Sequence, residues 1–124
     1  MAQDTKNFKV SEFACKHCGK NEIDQKVLNM AQELRDYLGV PIRVNSGYRC
    51  EVHNKNVGGV KGSKHTLGKA ADLACELGSA RMFQAVKELH EQGKLQDLDY
   101  CIKYKTFIHI DCGGKRKSLY EVRG

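Results

Sequence analysis

The sequence predicts an α+β fold in which a small, mostly antiparallel sheet packs with two main helices. Two segments carry apolar residues at helical spacing, and four short segments have strand-like patterns, with glycines in the connections between them. With 124 residues, the chain is expected to form one domain, residues 1–124. That length is enough to bury a core and too short for two domains.

The first helix is predicted to begin at Asp24, because apolar residues recur every three or four positions from there. Gly39 and Pro41 are expected to end it. The second helix is predicted to follow Ser79 as its N-cap and to stop at Gly93, with an apolar stripe between them.

The strands are predicted from shorter patterns. Residues 42–46 and 69–75 are each predicted to form one strand, and residues 99–114 to form two strands joined by a tight turn near Lys105. Residues 47–68 hold five of the twelve glycines and are predicted to be one long loop. Residues 1–22 are expected to be extended.

The composition limits the partners that the chain can have. The net charge of +6 suits an acidic partner, and the basic residues are spread along the chain apart from "KRK" at 115–117. No apolar run is long enough to span a membrane, and the first residues lack a secretory signal, so we expect synthesis in the cytoplasm. We expect a monomer with no membrane partner. A nucleic-acid role is disfavoured because tryptophan is absent and aromatic residues are few.

Three polar residues outside the helices form a candidate metal site, namely His65, Asp72 and His109. Catalytic zinc sites use three ligands drawn from His, Asp, Glu or Cys and leave a fourth position for water. Strand alternation places Asp111 on the same face as His109. The residues alone leave two interpretations open, which are a zinc site and an unrelated pairing of a loop histidine with a strand-end aspartate.

The six cysteines suggest free thiols or a metal site, because no export signal accompanies them. "CKHC", from Cys15 to Cys18, is half of a structural zinc site, and His17, Cys50 or Cys112 could supply further ligands. A structural role, packed or metal-bound, is favoured over redox catalysis.

Five motifs in order resemble a known family. "SKHTLGKAAD" fits the pattern SxHxxGxAxD and "FIHID" fits a downstream HxD, both typical of the zinc D-Ala-D-Ala carboxypeptidases, the M15 peptidases. "FKVSEFACKHCG", "VNSGYRC" and "HNKNVGGV" fit the same family in the same order. The resemblance runs from about Phe8 to about Gly113. It implies a fold shared with the hedgehog signalling domain and a zinc-dependent hydrolase of peptidoglycan stem peptides.

The resemblance also implies roles for individual residues. His65, Asp72 and His109 would be the ligands of one catalytic Zn2+. Arg49 would lie in the active site, where its donors suit a carboxylate or a carbonyl that gains charge during attack. Ser63, Arg49 and Tyr48 would bind substrate, although Ser63 could instead shape its loop.

The general base is less directly implied. Several branches of the family carry an acid three residues before the last histidine ligand, a position that Thr106 occupies here. Asp111 is the nearest carboxylate, and two roles stay open for it: the catalytic base, or an acceptor that orients His109.

The leading hypothesis is therefore a zinc metallopeptidase that cuts peptidoglycan stem peptides. It could be a carboxypeptidase that removes terminal D-Ala, or an endopeptidase of the phage endolysin type that acts on the cell wall after release. The alternative is a non-catalytic zinc-holding binding module of the same fold. A third reading, a nucleic-acid binder that uses "CKHC" as half a zinc finger, lacks a second ligand pair.

Overall fold

The computed structural model describes residues 2–59, 62–114 and 119–124. Val60, which ends the "HNKNVGGV" motif, and the "KRK" cluster at 115–117 lie outside these ranges. The described residues form helices and a five-stranded sheet, so the α+β prediction is confirmed.

The sheet has the strand order β1-β2-β4-β3-β5. Its strands are β1 (Ile42–Ser46), β2 (Ala70–Cys75), β3 (Tyr100–Lys103), β4 (Ile108–Asp111) and β5 (Tyr120–Val122). All neighbours pair antiparallel except β3 and β5, which run parallel. The predicted turn near Lys105 joins β3 to β4. Strand β5 was not predicted, because three half-exposed residues carry too little alternation to indicate a strand.

The two main helices are α1 (Gln25–Leu38) and α3 (Ser79–Glu91). Helix α1 begins as predicted, since the Asp24 carboxylate accepts a hydrogen bond from the Lys26 N–H. The predicted N-cap of α3 was wrong by one residue. Gly78 occupies that position, and the Ser79 hydroxyl donates instead to the Lys105 carbonyl at 3.0 Å, which ties α3 to the β3–β4 turn.

No helix among the described residues is both long and apolar enough to cross a membrane. The longest is α1, with 14 residues. A membrane-spanning helix needs roughly 20 predominantly apolar residues.

The prediction of one long loop over residues 47–68 was wrong. This segment contains α2 (Glu51–Asn56) and a short 3-10 helix (Lys64–Leu67), and another 3-10 helix (Val10–Phe13) interrupts the segment expected to be extended. Each is only one or two turns long, so none can show the repeating apolar stripe by which a helix is recognised in a sequence.

The two faces of the sheet have different surroundings. Residues that face the helices, such as Ala71 and Leu73 in β2 and Ile108 and Ile110 in β4, belong to the buried hydrophobic core. Alternation turns the intervening residues of the same strands to the opposite face. The polar residues of β2 and β4 therefore share one face, away from the helices.

Candidate metal centre

Strand pairing brings two of the predicted ligands together. In the antiparallel register of β2 and β4, Asp72 lies directly opposite His109. His65 lies in the 3-10 helix that precedes β2, and the Ser63 hydroxyl caps this helix by accepting a hydrogen bond from the His65 N–H at 3.2 Å. One strand pair and one capped turn therefore position all three side chains.

The three side chains converge on one carboxylate oxygen. Asp72 Oδ1 lies 3.2 Å from His65 Nε2 and 3.0 Å from His109 Nδ1, and all three donor atoms lie within 4.8 Å of one another. Ligand atoms about 2.0–2.1 Å from a tetrahedral zinc are separated from one another by about 3.3 Å. The observed spacings fit such an ion.

The hydrogen bonds on the far side of each ring decide which nitrogens face the centre unprotonated. His65 Nδ1 lies 2.8 Å from the Gly47 carbonyl oxygen, which accepts a hydrogen bond and so keeps the proton on Nδ1. His109 Nε2 lies 2.8 Å from Asp111 Oδ2, a second acceptor. The remaining ring nitrogens then direct lone pairs at Asp72 Oδ1. Three acceptors that face one point need a cation between them, either a proton on a ring nitrogen or a metal ion, and the donor set fits zinc.

The pKa shifts of these side chains lead to the same conclusion. Burial raises the pKa of Asp72, but hydrogen bonds with His109 and His65 more than offset it and leave that pKa well below its usual range. Burial lowers the pKa of His109, yet its hydrogen bonds with Asp111 and Asp72 outweigh burial and raise it. The site therefore attracts positive charge, which protons supply when metal is absent and release when it binds.

A comparison with protein families now bears on this centre. The family model described as Peptidase M15 matches residues 6–111, a span that includes all three donors. The chain belongs to the peptidase M15 family. M15 peptidases are zinc-dependent, in agreement with the donor set. A search of curated proteins found no match. The resemblance inferred from the five motifs is confirmed.

Arg49 of this M15 peptidase holds the second oxygen of Asp72. Its Nη2 donates to Asp72 Oδ2 at 3.1 Å, its Nε to Ser46 Oγ at 3.0 Å and its Nη1 to Asn54 Oδ1 at 3.2 Å. The Arg49 backbone N–H donates to the His65 carbonyl at 3.0 Å. These bonds fix the Asp72 carboxylate so that Oδ1 faces the two histidines. Sequence reasoning placed Arg49 in the site but missed this contact.

A cleft of about 540 Å³ opens over the centre. Arg49, Ser63 and Asp111, all predicted to serve catalysis or substrate binding, line it together with the three donors. Tyr48, the other predicted substrate-binding residue, is not among the lining residues of the described chain. It is buried, and burial together with a hydrogen bond to Glu22 raises its pKa. Tyr48 is therefore buried beside Glu22 and is not exposed in the cleft.

Asp111 lies behind His109 as seen from Asp72. Its Oδ2 contacts His109 Nε2, the ring atom that faces away from the centre, and the side chain is 1% exposed. Its Oδ1 is buried and has no hydrogen-bond partner among the described residues. Although Asp111 borders the cleft, its carboxylate is almost fully buried and bonded to His109, so this position suits an acceptor that orients His109.

Sequence reasoning also missed two features of the site, one that orients a ligand and one that lines the cleft. The Gly47 carbonyl orients His65, and no side-chain signal marks a carbonyl. Its indirect signal is the glycine, because a Cβ at that position would lie 2.5 Å from the Phe13 carbonyl oxygen. Tyr104 and Phe107, in the β3–β4 connection, line the cleft with stacked rings whose centroids are 4.6 Å apart. Their pairing depends on the turn between the strands.

The structure also places Cys50 beside the predicted half-site at "CKHC". Cys15, Cys18 and Cys50 form a second group whose sulfurs lie within 4.8 Å of one another. Burial raises the pKa of the Cys15 thiol, but hydrogen bonds from the backbone N–H groups of Cys50, Cys18 and His17 overcome it and lower that pKa to about 6. Of the predicted additional ligands, Cys50 belongs to this group and the buried Cys112 does not.

Proposed function

We propose that this M15 peptidase hydrolyses an amide bond in the stem peptides of bacterial peptidoglycan. The convergence of His65, Asp72 and His109 at the base of an open cleft carries the proposal. A structural metal site has four protein ligands, whereas three ligands beside a cleft leave room for water and substrate. The net charge of +6 supports an anionic polymer such as the bacterial wall as the substrate surface.

The residues of the site have separate tasks in this proposal. His65, Asp72 and His109 would hold zinc, which would supply a Lewis acid and an acidified water when bound. Arg49 keeps Asp72 oriented, and its position in the cleft suits stabilisation of the negative charge that develops on the scissile carbonyl oxygen. Asp111 orients His109 through Nε2.

The cleft also indicates how a peptide would be held. The stacked rings of Tyr104 and Phe107 give it an apolar wall, while Ser63 lines it beside the centre. The cleft suits an extended peptide whose small D-alanine side chains pack against the rings. Removal of terminal D-Ala and cleavage within the stem both satisfy this arrangement.

The test is digestion of purified peptidoglycan and of synthetic stem peptides that end in D-Ala-D-Ala, with products identified by mass spectrometry. Zinc-loaded wild type should release terminal D-Ala or cut within the stem, and the product decides between carboxypeptidase and endopeptidase. His109→Ala should be inactive. His90→Ala, which removes a histidine from α3 outside the cleft, is the matched control and should behave as wild type.

Failure of the zinc-loaded wild type on every wall substrate would refute the proposal. Retention of zinc in that case, together with binding to intact wall, would favour the non-catalytic module. Cleavage of unrelated peptides with the same dependence on His109 would preserve the peptidase and refute the substrate.

A further inference from the structure

Three cysteines from two separate segments meet outside the cleft. Cys15 and Cys18 lie in the turn that follows the 3-10 helix Val10–Phe13, and Cys50 is the N-cap residue of α2. All three are free thiols, and their sulfurs lie within 4.8 Å of one another. The group is separate from the His/Asp/His centre and has no task in the proposed hydrolysis.

The turn that carries Cys15 and Cys18 wraps backbone donors around one sulfur. It is closed by hydrogen bonds from the Gly19 N–H to the Cys15 carbonyl at 2.9 Å and from the Cys15 N–H to the Lys20 carbonyl at 2.7 Å. The N–H groups of Cys18 and Cys50 point at Cys15 Sγ, the latter at 3.4 Å. A neutral thiol is a weak acceptor, so several donors directed at one sulfur suit a thiolate, the form that binds metals.

An imidazole nitrogen lies beside one of the three sulfurs, just outside the group that they form. His17 Nδ1 is 3.6 Å from Cys50 Sγ. Zinc–sulfur bonds of about 2.3 Å and zinc–nitrogen bonds of about 2.0 Å place two tetrahedral ligands about 3.5 Å apart. The His17 ring also lies nearly parallel to the His53 ring, with 6.2 Å between centroids and 10° between planes.

From this geometry we propose that Cys15, Cys18, Cys50 and His17 bind a second, structural zinc ion. Three thiolates and one imidazole form a closed four-ligand set of the kind that structural zinc sites use, and thiolates select zinc over harder divalent cations. This proposal does not depend on the peptidase activity, because none of the four residues lines the cleft.

The position of this site gives the ion a structural task. It would join the N-terminal turn to the start of α2, one residue after Arg49. The Tyr48 N–H already donates to the Phe13 carbonyl at 2.8 Å between the same two segments. The second zinc would therefore hold in place the segment from which Arg49 reaches Asp72.

The experiment measures zinc per chain by mass spectrometry of metals, on full-length protein purified in reducing buffer. We expect about two ions in wild type and about one in either Cys50→Ser or His109→Ala. Cys75→Ser is the matched control, because it removes a thiol outside the group and should retain both ions. Cobalt substitution identifies the remaining site, since thiolate-to-cobalt charge-transfer bands should persist in His109→Ala and vanish in Cys50→Ser.

Wild type that holds about one zinc, lost in His109→Ala, would overturn the proposal. A cobalt spectrum of His109→Ala without thiolate bands would overturn it as well. So would a disulfide between two of the three cysteines that persists in protein purified in reducing buffer. If Cys50→Ser fails to fold, X-ray absorption of wild type still decides, because the site requires zinc–sulfur distances of about 2.3 Å. His17→Ala should weaken cobalt binding at the thiolate site and His53→Ala should not, and the reverse result would overturn His17 as the fourth ligand.

Discussion

Replacing Asp111 with asparagine separates the two roles open to this carboxylate. The side chain is buried, and its Oδ2 accepts a 2.8 Å hydrogen bond from His109 Nε2. Asparagine keeps the shape and an acceptor oxygen but removes the charge. A hydrogen bond to a charged group contributes about 1.5–3 kcal/mol and one between neutral groups about 0.5–1.5, so the change weakens the support of His109 by about 1–2 kcal/mol. We therefore expect Asp111→Asn to reduce zinc affinity by about 5–30-fold.

The assay measures zinc affinity by competition with a chelating indicator, and then kcat/KM against pH with zinc at saturation. If Asp111 orients His109, zinc affinity falls while kcat/KM at saturating zinc changes less than about tenfold and keeps its acidic limb. If Asp111 is the base, zinc affinity is unchanged, kcat/KM falls by about 10²–10⁴ and the acidic limb disappears. The second pattern would refute the orienting role. Asp97→Asn, at an exposed site outside the cleft, is the matched control.

Three further predictions concern stability. Gly47→Ala should lower the free energy of unfolding by about 1–3 kcal/mol in chemical denaturation, because the new Cβ meets the Phe13 backbone; an unchanged midpoint would contradict the packing. The hydrogen bond with Lys69 lowers the pKa of Asp24 in the folded protein, despite burial. The ionised Asp24 therefore stabilises the fold at pH values above its pKa in the unfolded chain, and this stabilisation is lost as the pH falls through its pKa in the folded protein. Between about pH 5 and pH 2 the unfolding free energy of wild type should thus fall more steeply than that of Asp24→Asn, and parallel curves would exclude the ion pair. Chelation of zinc should lower the Tm of wild type, by an amount equivalent to about 4 kcal/mol if free zinc was 1,000-fold above Kd. The Tm of His109→Ala should fall less on chelation, and an equal fall would mean that the stabilising zinc is bound elsewhere.

The parts of the fold that could be predicted from the sequence are those with enough residues to show a period. Helix α1 has fourteen residues, an Asp24 cap and a Gly39 terminator, and each of these signals is local. Helix α2 has six mostly polar residues, and β5 has three. Such elements are stabilised by contacts with residues that are distant in the sequence, so the local sequence does not predict them.

The site was predictable to the same extent. His65, Asp72 and His109 were predicted as ligands because their motifs resemble those of the M15 family; the residues alone left two interpretations open. The contact between Arg49 and Asp72 spans 23 positions and depends on where a long, flexible side chain ends. The contact between Cys50 and Cys15 spans 35 positions and depends on how the start of α2 lies against the N-terminal turn. Neither distance is encoded in a local pattern.

The pairing of β2 with β4 has a consequence for how the protein folds. Side chains alternate between faces, so a slip of one residue in β4 would bury His109 against the helices and expose Ile108 or Ile110 in the cleft. Asp72 and His109 face each other only in the native register, and β4 must dock between β2 and β3. Metal binding would thus stabilise only one alignment of β2 and β4, two strands that lie far apart in the sequence. A zinc ion bound by His65, Asp72 and His109 would therefore stabilise the native strand register, because a misaligned sheet would not bring the three ligands together.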